Sequence, residues 1–331
     1  MTNRNPKIAI IIPLHWALKK QNYNRFINEF KYFLELDYDN YEITLAVDKK
    51  VNLPFKSKKI RLLTMMSKNP TSPAEKRDYA FQHTKADYYA YIDDDSYPDR
   101  NWLKNAIKVL NKKKNINVVC GPGLTPPSDS FAQKITGAIL SSSFGSGPYA
   151  FRFRKDRPRF TDDFPAYNMI ISASALEKVK GWGTTFYGGE DTVICIKLTN
   201  SGERIYYHPS IITYHHRRTF PLQYIKQVGS VGMHRGYFTI KYPQTSLRVS
   251  YFAPALLTLG LPLILFLFLT QTEIRSYLSL FGLAAYFVIF ADSRKYNSLL
   301  IALILPFALL VNHITYGQSF IKGLYTKSLT K

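Results

Sequence analysis

The sequence predicts an α/β domain built on a mostly parallel, doubly wound sheet, followed by apolar helices long enough to cross a membrane. Three observations carry this. Lys7 to Pro13 (Lys-Ile-Ala-Ile-Ile-Ile-Pro) is a continuous apolar run, the mark of a central strand buried on both faces. Strand and helix patterns then follow in the order β-α-β-β-α-β, which fits parallel strands joined by crossover helices. From Val249 onward the chain turns to long stretches almost free of charge.

After the first strand, a helix is expected over roughly Tyr23 to Leu36, with Phe26, Phe30 and Phe33 on one side. Tyr41 to Val47 reads as a second strand, ending in Asp48, and Ile60 to Leu63 as a third. Pro73 opens a helix through about Thr84 that carries Glu75, Lys76, Arg77 and Asp78 in its first turns. Tyr88 to Ile92 is a strand running straight into Asp93-Asp94-Asp95, and Pro98 closes that segment. Trp102 to Leu110 has the spacing of an amphipathic helix. Val118 to Cys120 reads as a strand ending at Gly121-Pro-Gly123. Ser141 to Gly147 and the basic Arg152 to Arg159 form a loop-like insertion; that basic cluster suits either anionic lipid or a plain solvated face. Pro165 to Ser172 reads as a strand and Ala175 to Lys180 as a short helix ending at Gly181. Phe186-Tyr-Gly-Gly-Glu-Asp191 then leads into a helix to about Asn200. Ile205 to Tyr207 and Ile211 to Tyr214 are short strands, the second ending at His215-His-Arg-Arg218.

Composition narrows the partners. Lysine and arginine number 44 against 23 acidic residues, a net charge of +21, which favours phosphorylated substrates, anionic lipid headgroups or nucleic acid. A nucleic-acid-binding membrane protein accounts for the charge but leaves the acidic constellation at Asp93–Asp95 without a role, so no nucleic-acid partner is expected. Cys120 and Cys195 both sit in apolar context and read as buried thiols. The N-terminal Met-Thr-Asn-Arg-Asn-Pro-Lys lacks the apolar core of a signal peptide, which reads against export of this end.

The chain divides into an α/β domain over 1–218, an amphipathic interface segment over 219–247 and a membrane region over 248–331. About three spans are expected, at 249–269, 275–291 and 298–316, and prolines at 254, 262 and 306 are tolerated in such helices. Thr219 to Tyr242 mixes Phe220, Tyr224, Val228, Val231 and Tyr237 with Lys226, His234, Arg235 and Lys241, the pattern of an interfacial helix. Arg294 and Lys295 suit a cytoplasmic loop, giving a multi-pass protein of the cell membrane with its N-terminal domain in the cytoplasm. One conflict stands in this reading. Three crossings place Lys322, Lys327 and Lys331 outside, against the positive-inside tendency, and Tyr277 to Phe290 is a short apolar run, so a hairpin that does not fully cross is the alternative.

Three carboxylates at the end of a buried strand are costly unless a cation sits there. Asp93 and Asp95 are two apart and face the same way on an extended chain, so together they suit a divalent ion, while Asp94 points inward or accepts backbone hydrogen bonds. The bland alternative is a solvated acidic turn. Gly188-Gly189-Glu190-Asp191 joins a flexible turn to a helix start. Its acids either cap that helix or supply a general base, with Gly189 letting a bulky substrate approach the backbone. His215 and His216 are either hydrogen-bonded core residues or metal ligands, and Arg217 and Arg218 suit bidentate phosphate binding.

Taken together, these motifs resemble the family 2 inverting glycosyltransferases over about residues 7 to 245. The resemblance implies a GT-A fold (Rossmann-like, nucleotide-sugar-binding) and a divalent metal cofactor, Mn²⁺ or Mg²⁺. Lys7 to Pro13 matches the family's first strand, placing Pro13 beside the donor. Asp48 matches the acid that contacts the nucleotide base, and Lys76-Arg77-Asp78 the helix beside the diphosphate. Asp93-Asp94-Asp95 matches the D-x-D metal motif, with Asp93 and Asp94 also on the donor. Gly189-Glu190-Asp191 matches the acceptor-side E-D motif, whose Asp is the usual base. Pro209 through His215-His216 matches the late histidine that some members add to the metal, with His215 favoured over His216 by spacing. Gln227 and the Gly232-Met-His-Arg235-Gly236 segment resemble the interface helix of membrane-anchored members.

Two departures shape the expected chemistry. Processive synthases carry Q-x-x-R-W near the membrane, whereas Gln227 here is followed by Val-Gly-Ser-Val with no Trp. Enzymes that glycosylate polyprenyl phosphate attack with an acceptor already ionised, so the Glu190–Asp191 pair argues for a hydroxyl acceptor. The expected activity is inverting transfer from a nucleotide-diphosphate sugar to a glycan or lipid-linked acceptor, beside anionic membrane lipids. A polyprenyl-phosphate sugar synthase and a processive polysaccharide synthase are the alternatives.

Overall fold

The apolar runs become strands where expected. In the computed structural model, which describes residues 5–15, 20–54, 56–113 and 115–329, the strands are β1 (Ile8–Pro13), β2 (Tyr41–Val47), β3 (Ile60–Thr64), β4 (Tyr88–Tyr91), β5 (Ser96–Pro98), β6 (Val118–Cys120), β7 (Gly123–Leu124), β8 (Arg159–Thr161), β9 (Met169–Ser172), β10 (Ile205–Tyr207) and β11 (Thr213–His215). Met1–Arg4, central to the signal-peptide reading, and Lys331, part of the sidedness conflict, lie outside the described residues. All six residues of β1 are buried, as a central strand requires.

The main sheet has the order β3-β2-β1-β4-β9-β6-β10-β8. β1 pairs in parallel with β2 and β4, β2 with β3, and β6 with β10; β9 runs against β4 and β6, and β8 against β10. The sheet is therefore mostly parallel, with one reversed strand at its middle and one at its edge. Pro13 lies opposite Ala46, and Ile11 opposite Tyr91, so the residues following β1, β2 and β4 emerge along one carboxyl edge. That edge of a parallel sheet is where ligands bind. A second sheet, β5-β11-β7, stands beside it and carries His215.

Local differences from the sequence expectation have physical causes. The helix expected over Tyr23 to Leu36 is split into Lys20–Glu29 and Lys31–Leu34. The tight turn at Phe30 lets Phe26, Phe30 and Phe33 all reach the core, with neighbouring rings 5.5 Å apart. Pro165 to Ser172 starts as a 3₁₀ turn, Ala166–Asn168, before β9. The fully buried Asn168 is needed there: its amide donates to the carbonyls of Gly121 (2.8 Å) and Ile211 (2.7 Å) and its oxygen accepts from Trp102 Nε1 (2.8 Å). This knot ties the Gly121-Pro-Gly123 turn to the approach to β11. Cys120 and Cys195 are both buried thiols.

Chain contacts group residues up to Pro126 with Arg154–His216 as one compact unit, and Pro127–Phe153 with Arg217 onward as a second. Residues 127–153, numbered within the first stretch of the linear division, thus lie in the second unit. Of the loop-like insertion expected over Ser141 to Gly147 and Arg152 to Arg159, the first part is helical: Ser143–Ser146 and a 3₁₀ turn, Gly147–Arg152, follow the helix Phe131–Ser141, which Ser130 and Gln133 cap. The interface segment forms one helix, Leu222–Lys241. Three helices, Val249–Thr270, Thr272–Arg294 and Leu299–Leu324, are each long and apolar enough to cross a membrane.

Candidate active site

The carboxyl edge of β1, β2 and β4 assembles most of the expected residues in the first unit. Asp48, directly after β2, is fully buried; it accepts from Thr71 N (3.1 Å) and Thr71 Oγ1 (2.6 Å) and pairs with Lys76 Nζ at 2.8 Å. Burial alone would raise its pKa, but the Lys76 ammonium and the two Thr71 hydrogen bonds outweigh that and hold the carboxyl below its usual range. Lys76 is held in turn on the helix Pro73–His83, which Ser72 and Glu75 cap reciprocally. Pro13 is buried at the end of β1, two residues before His15.

Arg77 joins the end of β4 to the start of the helix Glu190–Asn200. Its guanidinium pairs with Asp93 Oδ1 at 2.7 Å and with Glu190 Oε1 at 3.2 Å, and it lies 4.6 Å from the Trp182 ring centre. It is only 1 % exposed, so its charge depends on carboxylate partners inside the fold. The next residue, Asp78, accepts from the backbone N–H groups of Trp182 (2.7 Å) and Gly183 (2.9 Å) and anchors the loop that leads to Glu190.

The three aspartates take three directions. Asp93 goes to Arg77. Asp94 accepts from the His15 N–H at 2.9 Å, the backbone bond expected of it. Asp95 Oδ1 meets His215 Nε2 at 3.0 Å. His216 turns the other way: its Nε2 lies 2.7 Å from Glu29 Oε1, while its backbone N–H donates to the Asp95 carbonyl. The structure therefore brings His215, and not His216, to the aspartate carboxylates. Among the described residues no three His, Cys, Asp or Glu side chains form a ready-made metal cluster. The Asp95–His215 pair, with Asp93 one third exposed beside it, is an oxygen and nitrogen donor set of the kind that suits a divalent metal ion.

In the turn before Glu190, Gly188 (φ +96°) and Gly189 (φ +81°) adopt left-handed backbone that other residues rarely tolerate. Gly189 is the N-cap of the helix Glu190–Asn200 and makes no side-chain cap. Glu190 is buried and used twice, Oε1 on Arg77 and Oε2 accepting from the Gly188 N–H at 3.0 Å. It holds the turn. Asp191 is partly buried, and burial together with the charges of Glu190 and Asp163 pushes its carboxyl up to about 7, against the pull of Arg77. A carboxyl poised near neutrality is what a general base requires.

Arg217, Arg218, Gln227 and Arg235 fall in the second unit. Arg217 is buried, its backbone N–H on Asp129 and its guanidinium 5.3 Å from the Phe153 ring centre. Thr136 donates to the Arg218 carbonyl, fastening this strap to the helix Phe131–Ser141. Arg235 lies 5.1 Å from the Tyr251 ring centre, and Gln227 is partly buried on the same helix.

Several participants escaped sequence reasoning. Thr71 and Glu29 had no motif. Trp182 and Asp163 are far in sequence from the groups they serve. His15 follows β1 directly and could have been found from its place at a strand end; burial and the Lys76 charge lower its pKa, and its ring meets the exposed Tyr187 edge-on at 6.3 Å.

Comparison with known proteins gives the family and the fold. The family model "Glycosyl transferase family 2" matches residues 10–180, just over half of the chain. A Methanococcus voltae protein, dolichyl N-acetyl-alpha-D-glucosaminyl phosphate 3-beta-D-2,3-diacetamido-2,3-dideoxy-beta-D-glucuronosyltransferase, is 25 % identical over 259 residues, 70 % of this chain and 76 % of that one. The pre-mycofactocin glycosyltransferase of Mycobacterium tuberculosis is 24 % identical over 179 residues, covering 52 % of this chain and 36 % of its own. Among solved structures, the mannosyltransferase PcManGT from Pyrobaculum calidifontis, in complex with GDP-Man and Mn²⁺, superposes with a TM-score of 0.59 at 15 % identity, over 98 % of this chain and 89 % of that one. The chain belongs to glycosyl transferase family 2 and has the GT-A fold.

Proposed function

We propose that this glycosyltransferase moves a sugar, with inversion, from a nucleotide-diphosphate donor to a hydroxyl of a glycan or lipid-linked acceptor. The single observation that carries the reading is Arg77, which ties Asp93 on the donor side to Glu190, the neighbour of Asp191. One buried guanidinium thus fixes the donor-binding strand end and the candidate base in one frame.

In this mechanism the ionised Asp191 takes the proton of the acceptor hydroxyl. The oxygen then attacks the anomeric carbon as the bond to the departing diphosphate breaks and its electron pair leaves with the nucleotide. One displacement inverts the centre and needs one base. Asp48, Lys76 and Pro13 line the nucleotide end, and Gly189 gives the acceptor room against the backbone. Asp95 and His215, with Asp93 beside them, would hold a divalent ion, Mn²⁺ or Mg²⁺, whose role is to neutralise charge on the leaving diphosphate. The PcManGT complex with GDP-Man and Mn²⁺ supports both donor and metal. The Methanococcus voltae relative, named for action on a dolichyl-linked sugar phosphate, supports a lipid-linked acceptor. The apolar helices support a place in the cell membrane, and we assign the catalytic unit to its cytoplasmic face, where nucleotide sugars are made.

The test is transfer by the full-length protein in membranes, with a panel of nucleotide sugars against lipid-linked saccharides and polyprenyl phosphate. Mass and NMR analysis should show one sugar added to a hydroxyl with the anomeric configuration reversed. Retention of configuration, or transfer to the phosphate alone, would overturn the reading.

A further inference from the structure

Three successive crossings by Val249–Thr270, Thr272–Arg294 and Leu299–Leu324 would put the start of the first helix and the end of the third on opposite faces of a bilayer, about 30 Å apart. In the structure these two ends touch. The rings of Phe252 and Phe320 lie 4.9 Å apart, edge to face, and Tyr251 and Ala255 are buried in one cluster with Phe320. Gly317 packs so closely on the Pro254 carbonyl and Thr258 that no Cβ would fit. The second helix meets the other end of the third, where the Tyr286 hydroxyl donates to the Leu303 carbonyl at 3.3 Å. Ends that touch in this way do not fit three full crossings.

Which helices cross follows from what packs on them. The apolar windows of the first two are 6 % and 0 % buried, so their sides are offered to lipid, whereas 33 % of the third is buried against protein. Its partner is the helix Leu222–Lys241, which runs beside it in the same direction. Tyr224 donates to Asn312 at 2.6 Å, Gly232 lies against the Tyr316 carbonyl, and Gly236 against that of Phe320. That partner carries Lys226, His234, Arg235 and Lys241 and so belongs at the headgroup level, not in hydrocarbon. The third helix is held at the same depth. Its opposite side exposes Leu299, Leu303, Phe307 and Leu310, an apolar stripe suited to rest on acyl chains.

We infer that the chain enters and leaves the bilayer on one face: Val249–Thr270 and Thr272–Arg294 form a membrane-crossing hairpin, and Leu299–Leu324 lies along the interface without crossing. The surface so formed fits a lipid bilayer with anionic headgroups. Lys322 and Lys327 join Arg235, Lys241 and Arg248 on one side, which removes the positive-inside conflict that three crossings create.

Single-cysteine reporters in the full chain test this, because Cys120 and Cys195 are both buried. Gln244→Cys, Gln271→Cys and Lys327→Cys place exposed thiols before the hairpin, at its tip and after the third helix. Labelling with a membrane-impermeant maleimide, in sealed vesicles of known orientation, should mark Gln244→Cys and Lys327→Cys from one side and Gln271→Cys from the other. Lys327→Cys labelling with Gln271→Cys would restore three crossings and overturn the inference. All three labelling from one side would overturn the spanning hairpin.

Discussion

Replacing Asp191 by Asn removes the proposed base while keeping its shape. Loss of a positioned general base costs about 10²–10⁴-fold in rate, or roughly 3–5 kcal/mol of transition-state stabilisation. The structure also sets the pH at which the native carboxylate works. Burial and the charges of Glu190 and Asp163 raise Asp191 to about 7, so the active, ionised form accumulates only above that pH. Wild-type kcat/KM should fall by about tenfold per unit as pH drops below 7 and level off above it. Stability moves the opposite way. A carboxyl whose folded pKa is raised binds its proton more tightly when folded, so its stability contribution falls between the ordinary carboxylate range and about 7, and the penalty is complete above that. Asp191→Asn removes this penalty, and its thermal midpoint at pH 8 should equal or exceed that of wild type. The assay is sugar transfer at saturating donor, with nucleotide binding measured in parallel. Turnover close to wild type in the variant, or a flat wild-type profile from pH 5.5 to 8, would refute the reasoning.

Arg77→Ala leaves Asp93 and Glu190 without their buried counter-charge and should cost about 3–5 kcal/mol in denaturant unfolding, with transfer activity lost as well. His215→Ala should weaken Mn²⁺-supported nucleotide binding by about 10–100-fold, the range seen for losses around metal ligands. His216→Ala should leave that metal dependence intact and lower the thermal midpoint instead, because it strips Glu29 of its partner. Gly236→Val pushes a branched side chain into the Phe320 carbonyl and should cost about 1–3 kcal/mol, read as a lower thermal midpoint in detergent.

What was legible in the sequence is what local pattern controls. Lys7 to Pro13, Tyr41 to Val47 and Tyr88 to Ile92 announce buried strands because their apolar runs have no other use, and the acids that follow the second and third of them mark the sheet's carboxyl edge. The apolar helices near the C-terminus are equally plain, since length and absence of charge define them. Strand direction was not legible: Met169–Ser172 is as apolar as its neighbours, yet it runs against both of them. Helix Phe131–Ser141 had a local signal in Ser130 and Gln133, a capping pair, that the surrounding Gly and Ser obscured. The role of Arg77 was out of reach for a different reason. Its partners lie 16 and 113 residues away, and only the fold brings them to one guanidinium. The split between His215 and His216 likewise depends on Glu29, which is 187 residues from His216.

Calorimetric titration of the purified full-length protein with UDP, GDP and TDP, with and without Mn²⁺, tests the donor site most directly. Binding of one nucleotide that requires Mn²⁺ and is lost in Asp95→Ala is the result expected of a metal-assisted nucleotide-sugar enzyme built on Asp93, Asp95 and His215. Binding of none of the three, or binding indifferent to both Mn²⁺ and Asp95→Ala, would contradict it.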